Sequence, residues 1–423
     1  MNQHHQILIV GGGTAGIMTA AFLKRKKSDL KISIIEPSKY HYYQAAWTLV
    51  GAGTFKYQDT RREELALIPS GVTWIKDYAI SVDPEMKKVF TKESGVHTFD
   101  YLVLCPGLVM DMDALPGLKE ALATDSVCSN YIDPEHTWKV IKNFKGGNAV
   151  FSQPSTPIKC GGAPQKIMYL AEEAFSRHGV RDKTKVIFAA PASVIFGVKD
   201  FALTLDEVIK RKKILTRFFY SPVKIDSVKK KIWFKYTKPD GDISHVLVGN
   251  TIGENWVKKH LIELKYDMLH IAPPQSAPDF IRNSSLAHQE GPSKGWLNVD
   301  IHSLQHVNYP SIYGIGDVAA LPTAKTGAAV RKQVPVVVSN ILNQIDHGFA
   351  EKTTYNGYSS CPLVTGYGKM VLAEFKYDNI RDSDPLLSKF WDTSKEQYSM
   401  WLLKKYGLPY LYWNKMMKGK MIE

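Results

Sequence analysis

A short apolar strand, a glycine turn and a helix at the start of the chain restrict its fold more than any other feature. Gln6 to Val10 reads as a strand, GGGTAG (Gly11 to Gly16) as the turn, Ile17 to Lys26 as a helix, and Lys31 to Ile35 as a second apolar strand ending in Glu36. Gly11, Gly13 and Gly16 satisfy G-x-G-x-x-G, and the acidic residue stands 20 positions beyond the last glycine, the spacing of a dinucleotide-binding unit. The three glycines serve different mechanical ends, namely a tight turn, close approach of backbone to a pyrophosphate, and close packing of helix on strand. Thr14 and Ala15 open the helix, whose unpaired N–H groups and partial positive charge suit phosphates. Glu36 is placed to accept hydrogen bonds from a ribose.

Which dinucleotide is held depends on later segments. Tyr309 to Asp317 (YPSIYGIGD) is an apolar strand ending in a glycine turn with an aspartate, and AKTGAAVRKQV, containing Lys325, continues as a helix from Ala324. A carboxylate at such a strand tip suits the ribityl hydroxyls of a flavin, which favours FAD over NAD. Tyr101 to Gly107 (YLVLCPG) is a buried strand ending in a turn at Gly107, where the chain leaves the first domain. Cys105 within it reads as a small core residue.

The middle of the chain reads as a second nucleotide-domain framework without its clamp. Asn148 to Ser152 and Lys185 to Ala190 are strand-like, and Lys166 to His178 is an amphipathic helix. Where a pyridine nucleotide needs another glycine fingerprint, however, the chain has QPSTPIKCGGAP. Pro154, Pro157 and Pro164 make this a rigid loop with few N–H groups for a phosphate.

Composition narrows the class further. A chain of 423 residues exceeds the size at which one core keeps growing, so two intertwined domains and an appendage are expected. The formal charge of +13, from 54 basic and 41 acidic side chains, favours anionic partners. Runs such as Lys24 to Lys27, Lys210 to Lys213 and Lys229 to Lys231 read as solvated faces. No nucleic-acid motif and no metal site is expected. The first strand begins too early to leave room for a leader, and no apolar run is long enough to span a bilayer.

Four cysteines are too few for a disulfide framework, so any bridge is expected to be redox-active. A flavin protein without a nicotinamide site needs another electron source, and a thiol pair is the obvious one. Cys160 and Cys361 both read as lying in Pro/Gly-bounded turns, and Lys159 and Lys166 give Cys160 an electropositive setting. Cys128 reads as a bystander, and Glu172 as either a proton acceptor or, preferably, a solvated helix carboxylate.

Taken with HYYQAAWTLVGAG, IKCGGAPQKIMYL, YPSIYGIGDVAALPTAKT and SCPLVTGYGKMVLAEFKYD, these segments resemble the sulfide:quinone oxidoreductases, in particular the mitochondrial group, over nearly the whole length. The resemblance implies an α/β fold of two Rossmann-like domains, the first interrupted by the second, plus a C-terminal membrane-facing helical appendage. The expected divisions are 1–115 with 292–348, then 116–291, then 349–423. It also implies that Cys160 and Cys361 are the redox pair, that Glu36, Gln44 and Asp317 contact FAD, and that Ala79 lies near the adenosine. No cysteine stands at a flavin-facing turn of the N-terminal half in a way that suggests attachment, so a noncovalent FAD is expected.

The implied reaction oxidises hydrogen sulfide, reduces a membrane quinone and passes sulfur to a small acceptor; Tyr367 and Phe375 read either as quinone contacts or equally as packing aromatics. Trp391, Trp401, Leu402, Leu403, Tyr410, Leu411, Tyr412 and Trp413, interleaved with lysines, suit a helix in the membrane interface, the alternative being a C-terminal helix packed on the chain's own core or on a twin subunit. The expected location is peripheral, on the cytoplasmic face of a bacterial inner membrane, or on the mitochondrial inner membrane if a presequence has been removed. A homo-oligomer is compatible with this reading. The alternatives are a sulfide dehydrogenase with a cytochrome acceptor, an NADH:quinone reductase, and a non-catalytic FAD-bearing membrane scaffold.

Overall fold

The computed structural model describes residues 3–239, 252–258, 260–349 and 353–420. Strand β1 (Gln3–Val10) is buried on both faces from Ile7 onward, which makes it a central strand. Helix α1 (Thr14–Lys26) follows, and then β2 (Ile32–Ile35), β3 (Val72–Ile75) and β4 (Val96–Leu104). All pair in parallel in the order β3-β2-β1-β4. An antiparallel hairpin, Ala79–Asp83 with Lys88–Thr91, joins the early part of β4.

The second sheet contains β5 (Gly147–Ser152), followed by α2 (Ala163–Arg177), then β6 (Thr184–Ala190), β7 (Leu215–Phe218) and β8 (Met268–Ile271). Its strands are parallel in the order Val127–Cys128, β8, β5, β6, β7. An antiparallel sheet of Tyr220–Asp226, Lys231–Tyr236, Leu261–Lys265 and Glu254–Lys258 covers one face of it, packing Tyr220, Phe234 and Ile262 against Val150 and Ile187.

The chain then returns to the first sheet. Strand β9 (Ile312–Gly314) pairs in parallel with β4, and α3 (Gly327–His347), N-capped by Thr326, packs beside α1. A strand order running outward from β1 on both sides leaves a crevice at the C-terminal strand ends, where dinucleotides bind. The hairpin of β10 (Ser359–Gly366) and β11 (Lys369–Lys376) lies on α2.

Two short helices, α4 (Tyr398–Leu402) and α5 (Leu408–Asn414), are joined by a π-helical turn, Leu403–Gly407. This C-terminal segment departs from the expected interfacial helix. Trp401 and Tyr412 are buried, and Tyr412, Met416 and Met417 pack into the core cluster containing Ile17 and Phe22 of α1. Their apolar surface belongs to the core, while Leu386, Phe390, Trp391, Leu402, Tyr406 and Tyr410 remain exposed. Among the described residues, no helix is long and apolar enough to cross a membrane.

Candidate active site

The glycine turn is built as a phosphate cradle. Gly11 has φ +107°, and a Cβ there would collide with the Cys105 carbonyl and Pro106, so β1 and β4 can approach only because the side chain is missing. A Cβ on Gly16 would strike the Gly11 carbonyl, whereas one on Gly13 would meet nothing within 4 Å. No side chain caps α1, and its first turn carries no acidic residue, so its first N–H groups have no capping partner within the helix turn. Glu36 accepts hydrogen bonds from the N–H groups of Gly12 and Ser38, both at 2.7 Å. Burial raises the Glu36 carboxyl above its ordinary range, and these two donors oppose that effect. The turn, the free helix end and the acid together fit the dinucleotide half of FAD.

Other residues singled out in the sequence converge on the same strand ends. A Cβ on Gly316, beside Asp317, would lie 3.5 Å from the Ala15 Cβ, which places the Asp317 turn against the start of α1. Gly107 takes φ +74° just beyond β4, with nothing within 4 Å of a would-be Cβ. Ala79 packs against the cluster formed by Val10, Ile35 and Leu104 at the ends of β1, β2 and β4. Desolvation raises the Asp317 carboxyl, while Lys159 and Lys325 lower it. Lys159 Nζ donates to Gln44 Oε1 at 2.5 Å, and Lys325 Nζ to the Ala319 carbonyl at 2.8 Å. Burial pushes the Lys325 ammonium down to about 8.

The two cysteines stand 201 positions apart in sequence, and folding joins them. Cys160 N donates to the Lys325 carbonyl at 2.8 Å, which ties the proline-rich loop to the segment entering α3. The Cys160 backbone has φ +51°, a left-handed conformation that costs a non-glycine residue about 1–2 kcal/mol and that the bracing loop imposes. Its thiol is in hydrogen-bonding contact with that of Cys361, and both cysteines are free thiols. A Cβ on Gly162 would come within 2.5 Å of Cys361 Sγ, so this glycine admits the second sulfur.

Cys361 is not in a turn, as its Pro and Gly neighbours had suggested. It lies inside β10 and is 2 % exposed. Pro362 is tolerated in the strand, and the β10–β11 ladder runs past it.

Two lysines set the electrostatics. Lys166, one turn into α2, brings Nζ to 3.0 Å from Cys160 Sγ. The Cys160 thiol is held well below its ordinary range, first by the Cys361 thiol donating to it and, against burial, by Lys166. Cys361 is pushed up correspondingly, by donating to Cys160 and by burial. Burial disfavours the Lys166 charge, but the cysteines outweigh it and raise its pKa.

Lys404, which the sequence reading missed, projects from the π-turn. It is 3 % exposed, and its Nζ donates to the Ala45 carbonyl at 2.7 Å. Burial first, and then Lys166, push it down to about 7, while the cysteines act oppositely. Nothing in WLLKKYG distinguishes Lys404 from exposed neighbours, because a π-turn shifts the helical phase. Tyr131 was also missed: its hydroxyl donates to the Cys160 carbonyl at 3.1 Å.

The remaining candidates divide clearly. Glu172 is not a solvated carboxylate: it is buried, and Arg181 and Lys212 both pair with it at 2.8 and 2.7 Å. Lys212 therefore departs from the solvated face expected of its run. Cys128 is fully buried opposite His270, its thiol pushed up to about 12 by burial, and Cys105 is likewise pushed up by burial. Both are inert settings. Phe375 shares the hairpin face of Cys361 and meets Phe196 edge-on at 5.7 Å. Tyr367 donates to the Ala52 carbonyl at 2.8 Å, and Arg177 lies over its ring at 4.1 Å.

Comparison with known proteins gives concordant results. Residues 5–142 match the pyridine nucleotide-disulphide oxidoreductase family. The chain is 38 % identical to the mitochondrial sulfide:quinone oxidoreductase of Mus musculus, over 98 % of this chain and 87 % of that protein. It is 40 % identical to that of Dictyostelium discoideum, over 98 % and 86 %. Among solved structures, the sulfide:quinone oxidoreductase of Aquifex aeolicus superposes with a TM-score of 0.74 at 19 % identity, covering 97 % of this chain and 91 % of that one.

Proposed function

The chain belongs to the sulfide:quinone oxidoreductases, FAD enzymes that oxidise hydrogen sulfide and reduce a quinone, and we propose that Cys160 and Cys361 are the redox pair of that reaction. The observation that carries this reading is the contact of their thiols beside Lys166 and Lys404, on a loop tied to the segment that follows Asp317. In the oxidised enzyme, hydrosulfide attacks the Cys361 sulfur of a Cys160–Cys361 bridge. A new S–S bond forms, the bridge breaks, Cys361 becomes a persulfide and Cys160 leaves as a thiolate. Lys166 lowers the energy of that thiolate, which improves Cys160 as the leaving group.

Bound FAD would supply the two-electron acceptor for the thiol pair, with quinone as the final acceptor. Gly11, Gly13, Gly16, Thr14 and Ala15 cradle its phosphates, Glu36 takes the ribose, and Ala79 borders the adenosine. Asp317, Gln44, Lys325 and Gly107 line the flavin half. Phe375 and Tyr367 flank the proposed quinone approach, Phe375 from the hairpin face that Cys361 also occupies. A small nucleophile takes the outer sulfur of the persulfide and leaves Cys361 as a thiolate; loss of two electrons from the Cys160 and Cys361 thiolates, to the acceptor that bound FAD would supply, forms the S–S bond again.

Membrane attachment is proposed through the exposed Leu386, Phe390, Trp391, Leu402, Tyr406 and Tyr410, interleaved with Lys389, Lys395 and Lys405. Apolar groups ringed by cations suit an anionic lipid surface on which quinone is dissolved.

The test is anaerobic stopped-flow mixing with sulfide. The natural chain should lose its flavin absorbance, while Cys160→Ser and Cys361→Ser, with FAD still bound, should slow that loss by at least a thousandfold. Undiminished bleaching in both variants would refute the assignment.

A further inference from the structure

A second carboxylate reaches the glycine turn. Glu64 follows the strand Arg61–Glu63, which pairs with Tyr40–Tyr42, and its side chain is 2 % exposed. Its Oε2 faces His41 Nδ1 at 3.5 Å, while its Oε1 has no hydrogen-bond partner among the described residues. A Cβ built on Gly12 would run into that unpartnered oxygen and into the stem of Glu36, so both carboxylate side chains flank the same backbone. A buried carboxylate oxygen without a donor is costly, and a ligand hydroxyl removes the cost.

The oxygen is held in place from the other end of the chain. The Tyr412 hydroxyl on α5 lies 2.7 Å from Thr14 Oγ1 and also meets His41 Nε2. Tyr412 is buried, with its ring 4.5 Å from that of Tyr43. One direction of donation satisfies the chain: Thr14 to Tyr412, Tyr412 to His41 Nε2, and His41 Nδ1 to the Gly12 carbonyl at 3.3 Å, which holds the same nitrogen 3.5 Å from Glu64 Oε2. A ribose presents two adjacent hydroxyl donors. Each Glu36 oxygen already accepts a backbone N–H, so a second acceptor at the turn complements it.

We propose that Glu64 is a second ribose-binding carboxylate of the dinucleotide site, with His41 and the Tyr412 hydroxyl of the C-terminal segment as its positioning residues. The proposal rests on the FAD reading above. It makes the C-terminal segment part of the cofactor site in the same chain.

The experiment uses the full-length apoprotein, titrated with FAD by flavin fluorescence and then challenged with ADP or its 2′,3′-dideoxy analogue. Wild type should prefer ADP to the analogue, and Glu64→Gln should weaken FAD binding roughly ten- to a hundredfold and erase most of that preference. Tyr412→Phe should produce a smaller loss of the same kind, less than additive with Glu64→Gln. Should the Glu64→Gln apoprotein not fold, His41→Gln carries the same comparison. An unchanged ADP preference in the Glu64 or His41 variant overturns the ribose role, and additive losses overturn the positioning role. Failure of the wild type to bind FAD is a different result, which removes the FAD reading itself.

Discussion

Replacing Lys166 by Met tests the electrostatics of the thiol pair most directly. The substitution keeps the buried stem and removes the charge 3.0 Å from Cys160 Sγ. Lys166 is only 2 % exposed, so solvent does not screen the pair. Coulomb's law at that distance gives about 5 kcal/mol in an effective dielectric of about 20. Mutational values for hydrogen bonds to charged groups are nearer 1.5–3 kcal/mol, roughly ten- to a hundredfold in thiolate population.

The lower end of that range is expected, because Lys404 is held down partly by Lys166 and regains protonation when that neighbour is removed. A thiolate exists above its thiol's pKa, and Cys160 sits well below the ordinary value. Loss of Lys166 must therefore move its reactivity profile toward alkaline pH. The assay is alkylation of the prereduced enzyme by iodoacetamide across pH, with Cys160 modification read by peptide mass and flavin content monitored throughout. Rates for Lys166→Met that superimpose on wild type at every pH would overturn the electrostatic role of this lysine.

Three further outcomes are expected. Gly162→Ala should force the cysteines apart, since its Cβ would fall 2.5 Å from Cys361 Sγ and 2.6 Å from Leu363 Cδ2. The cost should be about 1–3 kcal/mol of stability, and sulfide-driven bleaching should fall steeply with FAD retained, as urea midpoints and stopped-flow would show. Lys404, pushed down to about 7, binds fewer protons in the folded than in the unfolded chain between there and the ordinary lysine range. Wild-type stability should accordingly gain up to about 1.4 kcal/mol per pH unit from this residue as pH rises through that window, and Lys404→Met should lack the gain in parallel urea titrations. Phe390→Glu, at a position 70 % exposed, should weaken sedimentation with anionic vesicles about tenfold or more, without altering sulfide-driven flavin bleaching in detergent.

Local geometry explains which residues could be read in advance. The glycine turn, Glu36 and the apolar strands are governed by rules that act within about thirty residues, so they were legible from spacing. Cys361 was misplaced because Pro362 and Gly366 suggest a turn, whereas the pairing of β10 with β11 and burial against α2 hold the segment extended. Glu172 read as solvated because its partners, Arg181 and Lys212, lie beyond the reach of helical periodicity. The C-terminal aromatics divide between core and surface through contacts with α1, which no local pattern encodes.

The parallel α/β architecture, the dinucleotide turn and the candidacy of two of the four cysteines are written in the residue order, because each is encoded in short-range spacing and backbone chemistry. Three-dimensional packing alone brings Cys160 against Cys361, sets Lys166 and Lys404 beside them, and carries Tyr412 to the glycine turn. Those relations depend on segments up to about four hundred residues apart being packed into one low-dielectric crevice. There, distance and desolvation, rather than residue type, set the reactivity of each group.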